Sequence, residues 1–91
     1  MALLVNTKSI VSNIAPNNGI AFELEEAQAL VGGYIEIINI GKGYIMIIDE
    51  EGKLDGKPFN TMATMIALHR QAIRPDDYIV GDVIICKMHE I

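Results

Sequence analysis

The sequence predicts an α+β fold: a four- or five-stranded, mainly antiparallel sheet with two helices packed on one face. Three observations carry this. Short isoleucine-rich runs, such as Tyr34 to Ile40 and Tyr44 to Ile48, have the composition of strands. Two segments, Phe22 to Val31 and the stretch after Asn60, repeat apolar residues at helical spacing. Gly41-Lys42-Gly43 joins two strand-like runs as a tight hairpin turn.

Taken in order, Ser9 to Ile14 reads as a weak first strand, closed by the turn-forming run Ala15-Pro16-Asn17-Asn18-Gly19. In the helix from Phe22 to Val31, Glu23, Glu25 and Glu26 suit the positive end of the helix dipole, and Leu24, Ala27, Leu30 and Val31 form its apolar face. Gly32-Gly33 ends it. The hairpin of Tyr34 to Ile40 and Tyr44 to Ile48 follows, then a polar, glycine-punctuated loop from Asp49 to Lys57. Asn60 caps the second helix. Met62, Ala63, Met65, Ile66 and Leu68 give that helix a broad apolar stripe through about Ala72. Pro75-Asp76-Asp77 breaks the chain. Tyr78 to Met88 reads as one long strand or two short ones, bent at Gly81-Asp82.

Ninety-one residues suit one domain, 1–91, and apolar types make up 51% of them. No apolar run approaches the roughly 18 residues of a membrane span, and no basic stretch precedes a greasy one as in a secretory signal. The expectation is a cytoplasmic protein without membrane contact. The net charge of −5 disfavours a nucleic-acid backbone as partner, since that requires a positive field.

Strand Tyr44 to Ile48 and the run Val83-Ile84-Ile85-Cys86 are apolar at every position, where a half-wet strand would alternate. With both helices on one face, the other face needs a cover. The expectation is a homo-oligomer.

The chemistry-bearing motifs are sparse. Gly41-Lys42-Gly43-Tyr44 lacks the spacing and the trailing Lys-Ser/Thr of a P-loop. Asp49 to Gly56 lacks the ligand pattern of an EF-hand, and the twelfth residue from Asp49 is Asn60. Cys86, His69 and His89 are too few for a structural zinc site. Cys86, the single cysteine, has no internal disulfide partner and sits in an apolar run that disfavours its thiolate. No Ser-His pairing stands in a recognisable context. Glu36 is the one carboxylate whose strand face, shared with Tyr34, Ile38 and Ile40, suggests partial burial. No catalytic residue, metal or cofactor is expected.

Four blocks occur in order: Val31-Gly-Gly-Tyr-Ile-Glu36, Asp49-Glu-Glu-Gly-Lys-Leu54, Pro58-Phe-Asn-Thr-Met-Ala63 and Ile79-Val-Gly-Asp-Val83. They resemble an uncharacterised family of short phage and mobile-element proteins, a domain of unknown function, over roughly Glu25 to Cys86. Asp49 departs from that pattern, which tends to have Asn there, and Met1 to Ala21 does not align with it. The resemblance implies a phage-type origin and a site in the bacterial host cytoplasm.

Two functions follow as expectations. The first is a non-enzymatic binding protein that sequesters an anionic, nucleotide-like small molecule, a host immune signal, at a homo-oligomer interface. There Tyr34 stacks on or lines the pocket and Glu36 accepts from a hydroxyl or amine. Asn60 and Thr61 act at a helix start, and Lys42, Lys53 or Arg70 neutralise phosphate. The second is an acidic inhibitor of a host defence protein, working through Asp49, Glu50, Glu51, Asp76 and Asp77.

Overall fold

The computed structural model describes residues 2–91. Strands β1 (Ala2–Val5), β2 (Val11–Ile14), β3 (Ile35–Gly41), β4 (Tyr44–Asp49) and β5 (Val83–Lys87) form one antiparallel sheet in the order β2-β1-β5-β4-β3. Helices α1 (Leu24–Val31) and α2 (Thr61–His69) complete the α+β fold, and a short 3-10 turn, Met88–Glu90, follows β5.

The N-terminal segment holds two strands where the sequence suggested one. Ala2–Val5 is apolar throughout and lies between β2 and β5. The turn between β1 and β2 is built by Asn6, whose Oδ1 accepts from the N–H groups of Lys8 and Ile10, both at 2.9 Å. The β3–β4 hairpin closes over Lys42 and Gly43, both at positive φ (57° and 81°), as a two-residue turn that matches strand twist requires. The stretch from Tyr78 to Asp82 is not ladder: Val80 makes one isolated bridge to Phe59, and the strand begins at Val83, after the bend at Gly81.

The helices are divided between the two faces of the sheet, which corrects the expectation of a single helical layer. Ala27 and Val31 of α1 pack with Ala2, Ile45, Ile47, Ile84 and Cys86. Ala63 and Ala67 of α2 pack with Val5, Ile40, Met46, Val83 and Ile85. Side chains alternate along a strand, so Ile45 and Ile47 face α1 while Met46 faces α2. This accounts for the unbroken apolar runs in β4 and β5: each strand is central and dry on both sides within one chain. The premise from which a second copy was inferred is therefore met internally.

The helices are short relative to what they cover. At 1.5 Å per residue the nine residues of α2 span roughly 14 Å, less than the breadth of the sheet. The helix is pinned at its start by Asn60, whose Oδ1 accepts from the Ala63 N–H at 2.9 Å. Asn60 Nδ2 donates to the carbonyls of Val5 and Gly81 at 3.0 and 2.8 Å. Thr64 adds a two-way link: its hydroxyl accepts from the Ile79 N–H at 2.9 Å and donates to the Ile79 carbonyl at 3.3 Å. From there α2 runs toward the β3–β4 hairpin, where Arg70 reaches the Ile40 carbonyl at 3.4 Å. It stops at His69, short of Ala72, and Gln71 turns the chain at φ 54°. One groove is left open beside the helix and another beside the 71–80 segment that follows it.

Candidate functional site

The four sequence blocks meet at one corner of the fold, and their chemistry there is structural. The Asp49 carboxylate is buried at the end of β4. Its Oδ1 accepts from the Glu51 N–H at 2.9 Å and its Oδ2 pairs with the Lys57 ammonium. Burial pushes the carboxyl pKa up, but Lys57 and the Glu51 N–H outweigh this and hold it below its ordinary value. Lys57 Nζ also donates to the carbonyls of Val31 and Gly32, at 2.8 and 3.1 Å, at the C-terminus of α1. There a cation suits the negative end of the helix dipole. Gly33 is a glycine because a Cβ there would lie 2.7 to 2.8 Å from the Asp49 carboxylate. Gly52 is in the same position against Val80, at 2.9 Å.

Asn60 belongs to this scaffold and not to a binding site. It is fully buried, and both amide hydrogens and its oxygen are engaged within the chain. The expectation that it meets a ligand at the helix start is corrected accordingly. Glu36 is exposed on β3, not partly buried.

The remaining candidates fall in four places. Glu36 and Lys53 line a groove of about 550 Å³ between β3, β4 and the 71–80 segment. Lys53 is already spent there: it forms an ion pair with Asp77, and its ammonium lies 4.3 Å from the centroid of the Tyr78 ring. The hydrogen bond from Lys53 lowers the Asp77 pKa and raises that of Lys53 itself. The lining carries four carboxylates, Glu36, Asp49, Glu50 and Asp77, against two cations, Lys53 and Arg74. That balance repels an anion. Tyr34, 68% exposed, lies apart in a shallow depression with Gln28 and Glu51. Lys42 is at the hairpin tip.

Thr61 and Arg70 line a second groove, beside α2. This groove, about 730 Å³, runs the length of the helix beside β1, β5 and the hairpin. Its floor and walls are Leu3, Ile40, Tyr44, Met62, Met65, Ile66 and Ile85; Ser9, Thr61, His69 and Arg70 supply the polar groups. Among the described residues that line it there is no Asp or Glu. Arg70 has no carboxylate partner among the described residues. It stands beside Gly41, next to Lys42 in the turn. Across the same end, Lys87 lies 5.7 Å from the Tyr44 ring centroid. The groove is thus an apolar trough with Arg70 at one end, and Lys87 reaches its Tyr44 wall.

Tyr44, Met65, Ile85 and Lys87 were not singled out as site residues from the sequence. One signal for them was present: the α2 segment is apolar nearly all round, and a helix of that kind is either fully buried or has a further partner. Met65 is 64% exposed, so full burial is not the explanation.

Among the described residues no three His, Cys, Asp or Glu side chains group as a metal site. Among the described residues no helix is long and apolar enough to cross a membrane. No curated protein and no solved structure matches the chain significantly. The model of one family, described as Domain of unknown function (DUF3846), matches residues 2–90, and the chain belongs to that family.

Proposed function

We propose that this chain is a non-enzymatic binding protein whose site is the apolar groove beside α2. The ligand class is a small molecule with an apolar or flat body and an anionic head. The body lies over Ile40, Ile85 and the Met62–Ile66 side of the helix, and the head meets Arg70, with Lys87 and Lys42 nearby. The observation that carries this reading is the segregation of charge. In a chain of net charge −5, this apolar trough is free of carboxylates among its described lining residues and carries at one end Arg70, which has no carboxylate partner among the described residues. Its size falls in the range of small-molecule sites, about 300–1,000 Å³.

The nucleotide-like anion expected from the sequence is one member of this class, with its base against Tyr44 and its phosphate at Arg70. A long-chain carboxylate is another, and the aliphatic and methionine lining favours it. In the phage-type setting that the sequence blocks suggest, capture of either kind would withdraw a host signal. The rival reading, an acidic inhibitor surface, has less support. Asp49 is buried against Lys57, Asp77 is paired with Lys53, and Asp76 lies beside Arg74.

Thermal denaturation of the protein with decanoate, a cyclic dinucleotide and ADP-ribose tests the proposal. A ligand present at 100 times its Kd stabilises by about 2.7 kcal/mol, which for a chain of this size raises Tm by roughly 10 °C or more. Arg70→Glu should remove most of that shift while leaving the unliganded Tm nearly unchanged. The absence of a shift with all three probes, or an equal shift in Arg70→Glu, refutes the site.

A further inference from the structure

The sheet has two open edges of different character. One is β2, four residues long and carrying Ser12 and Asn13. The other is β3, seven residues long, with four isoleucines, one charge, and no lysine or proline. Long, flat, apolar edges are sites of strand addition, and proteins that avoid it place Lys, Pro or a bulge mid-strand. Here the one irregularity lies between Asn39 and Gly41, at the strand's end.

The pattern of the β3–β4 ladder fixes which backbone groups are unspent. The Glu50 N–H donates to the Tyr34 carbonyl at 2.8 Å. With Ile35 opposite Asp49 and Glu36 opposite Ile48, Tyr34, Glu36 and Ile38 bond inward to β4. The N–H and C=O groups of Ile35, Ile37 and Asn39 therefore point outward, since the two directions alternate along an antiparallel strand. The Ile37 side chain, on the α1 side of the sheet, is 50% exposed at this rim.

We propose that β3 pairs antiparallel with β3 of a second copy about a twofold axis at Ile37, making a continuous ten-stranded sheet. This goes beyond the binding groove, which lies beside α2 and does not depend on it. A second copy, and not another extended chain, is the occupant because the strand is complementary to itself in this register. Ile37 meets the partner's Ile37, and Ile35 meets the partner's Asn39, so all three outward-facing positions find bonding partners. Glu36 falls opposite the partner's Ile38, so the strand's one charge does not stand directly opposite a like charge. The two exposed Ile37 side chains cover one another. The pairing also brings the partner's Glu36 and the partner's Ile38 up to the polar groove that Glu36 and Ile38 line, extending that groove across the axis.

Cysteine trapping in the full chain tests the register. Directly opposed residues that exchange hydrogen bonds have Cα atoms about 5.5 Å apart, within disulfide range. Under mild oxidation Ile37→Cys should give mostly disulfide-linked dimer, and Glu36→Cys little. The native Cys86 is buried and adds no background. Sedimentation should show a dimer for the unmodified protein and a folded monomer for Ile37→Lys, with the same circular dichroism. Three results would overturn the proposal: a monomer at millimolar concentration, equal trapping of the two cysteine variants, or a dimer trapped by Met65→Cys but not by Ile37→Cys.

Discussion

Removing Lys57 isolates the most consequential polar contact in the fold. In Lys57→Met the methionine retains much of the stem volume but leaves the Asp49 carboxylate buried without its ion pair. Breaking a buried pair by deleting one partner costs roughly 3–5 kcal/mol. The Lys57 side chain keeps about a quarter of its surface in contact with water, which places the cost near the lower end. The carbonyls of Val31 and Gly32 lose donors as well, adding on the order of 1 kcal/mol. We expect roughly 3–4 kcal/mol in all, a large share of the roughly 5–14 kcal/mol typical of a chain this long, read as a lower urea midpoint at unchanged slope. The pH dependence supplies a second readout. In the native protein the Asp49 pKa lies below its ordinary value. Its contribution to stability is therefore present above the unfolded value near 3.9 and is lost as pH falls through the folded value. In Lys57→Met burial acts with little opposition, the folded pKa rises above the unfolded one, and protonation then favours the folded state. The stability gap between the two proteins should narrow as pH falls from 7 toward 4. Asp49→Asn introduced into Lys57→Met should recover part of the loss, because it removes the stranded charge. A cost under about 1 kcal/mol, or a gap that widens on acidification, would refute the reasoning.

Asn60→Ala removes a helix cap, worth about 0.5–2 kcal/mol, and the donors to two carbonyls as well. A loss of roughly 3 kcal/mol in chemical denaturation, with ligand affinity of the folded fraction unchanged, would separate its scaffold role from a binding role. The Cys86 thiol is pushed up to about 11, chiefly by burial and secondarily by Glu90. At pH 8 it should resist Ellman's reagent in the native protein and react promptly in urea, and immediate stoichiometric labelling would show that β5 is less protected than its packing implies. Gly33→Ala forces a Cβ into the Asp49 carboxylate. It should lower Tm by several degrees, and by less in an Asp49→Ala background.

The hairpin, the second helix with its Asn60 cap, and the α+β class were all legible because local chemistry decides them. A Lys-Gly turn, an Asn before a helical run, and glycines after one act within a few residues. The arrangement of the helices was not legible, since it depends on which face each crosses, and an apolar run such as Tyr44 to Ile48 is compatible with cover from either side. The same run was read as surplus grease needing a second copy, when the missing cover was the chain's own other helix. The first strand was missed because Ala2–Val5 is too short to show a period. The candidate site residues were chosen by type, and type alone does not say which are already engaged. Asn60 and Lys53 proved to be committed to Val5, Gly81 and Asp77, whereas Arg70 has no carboxylate partner among the described residues and its guanidinium reaches only the Ile40 carbonyl, at 3.4 Å.

The four sequence blocks and the groove proposed as the binding site overlap only at Thr61 and Met62, and this near-separation has a consequence for how variants should be read. Gly33, Asp49, Gly52, Lys57 and Asn60 hold α1, the loop after β4 and the start of α2 in register by close approach and buried polar bonds. A change at any of them alters the free energy of folding first and ligand binding only through the fraction folded. Arg70, Met65 and Tyr44 do the opposite: they are surface or half-buried groups around an open trough, so a polar replacement there costs little stability and removes contact area or charge that a ligand would use. Under the proposed function, chains sharing the blocks but differing along α2 should keep the fold while changing what the trough accepts. Exchanging the trough residues of two such chains, Thr61 and Met62 among them, should carry ligand preference across with the exchanged residues, while exchange of the remaining block residues should leave preference where it was.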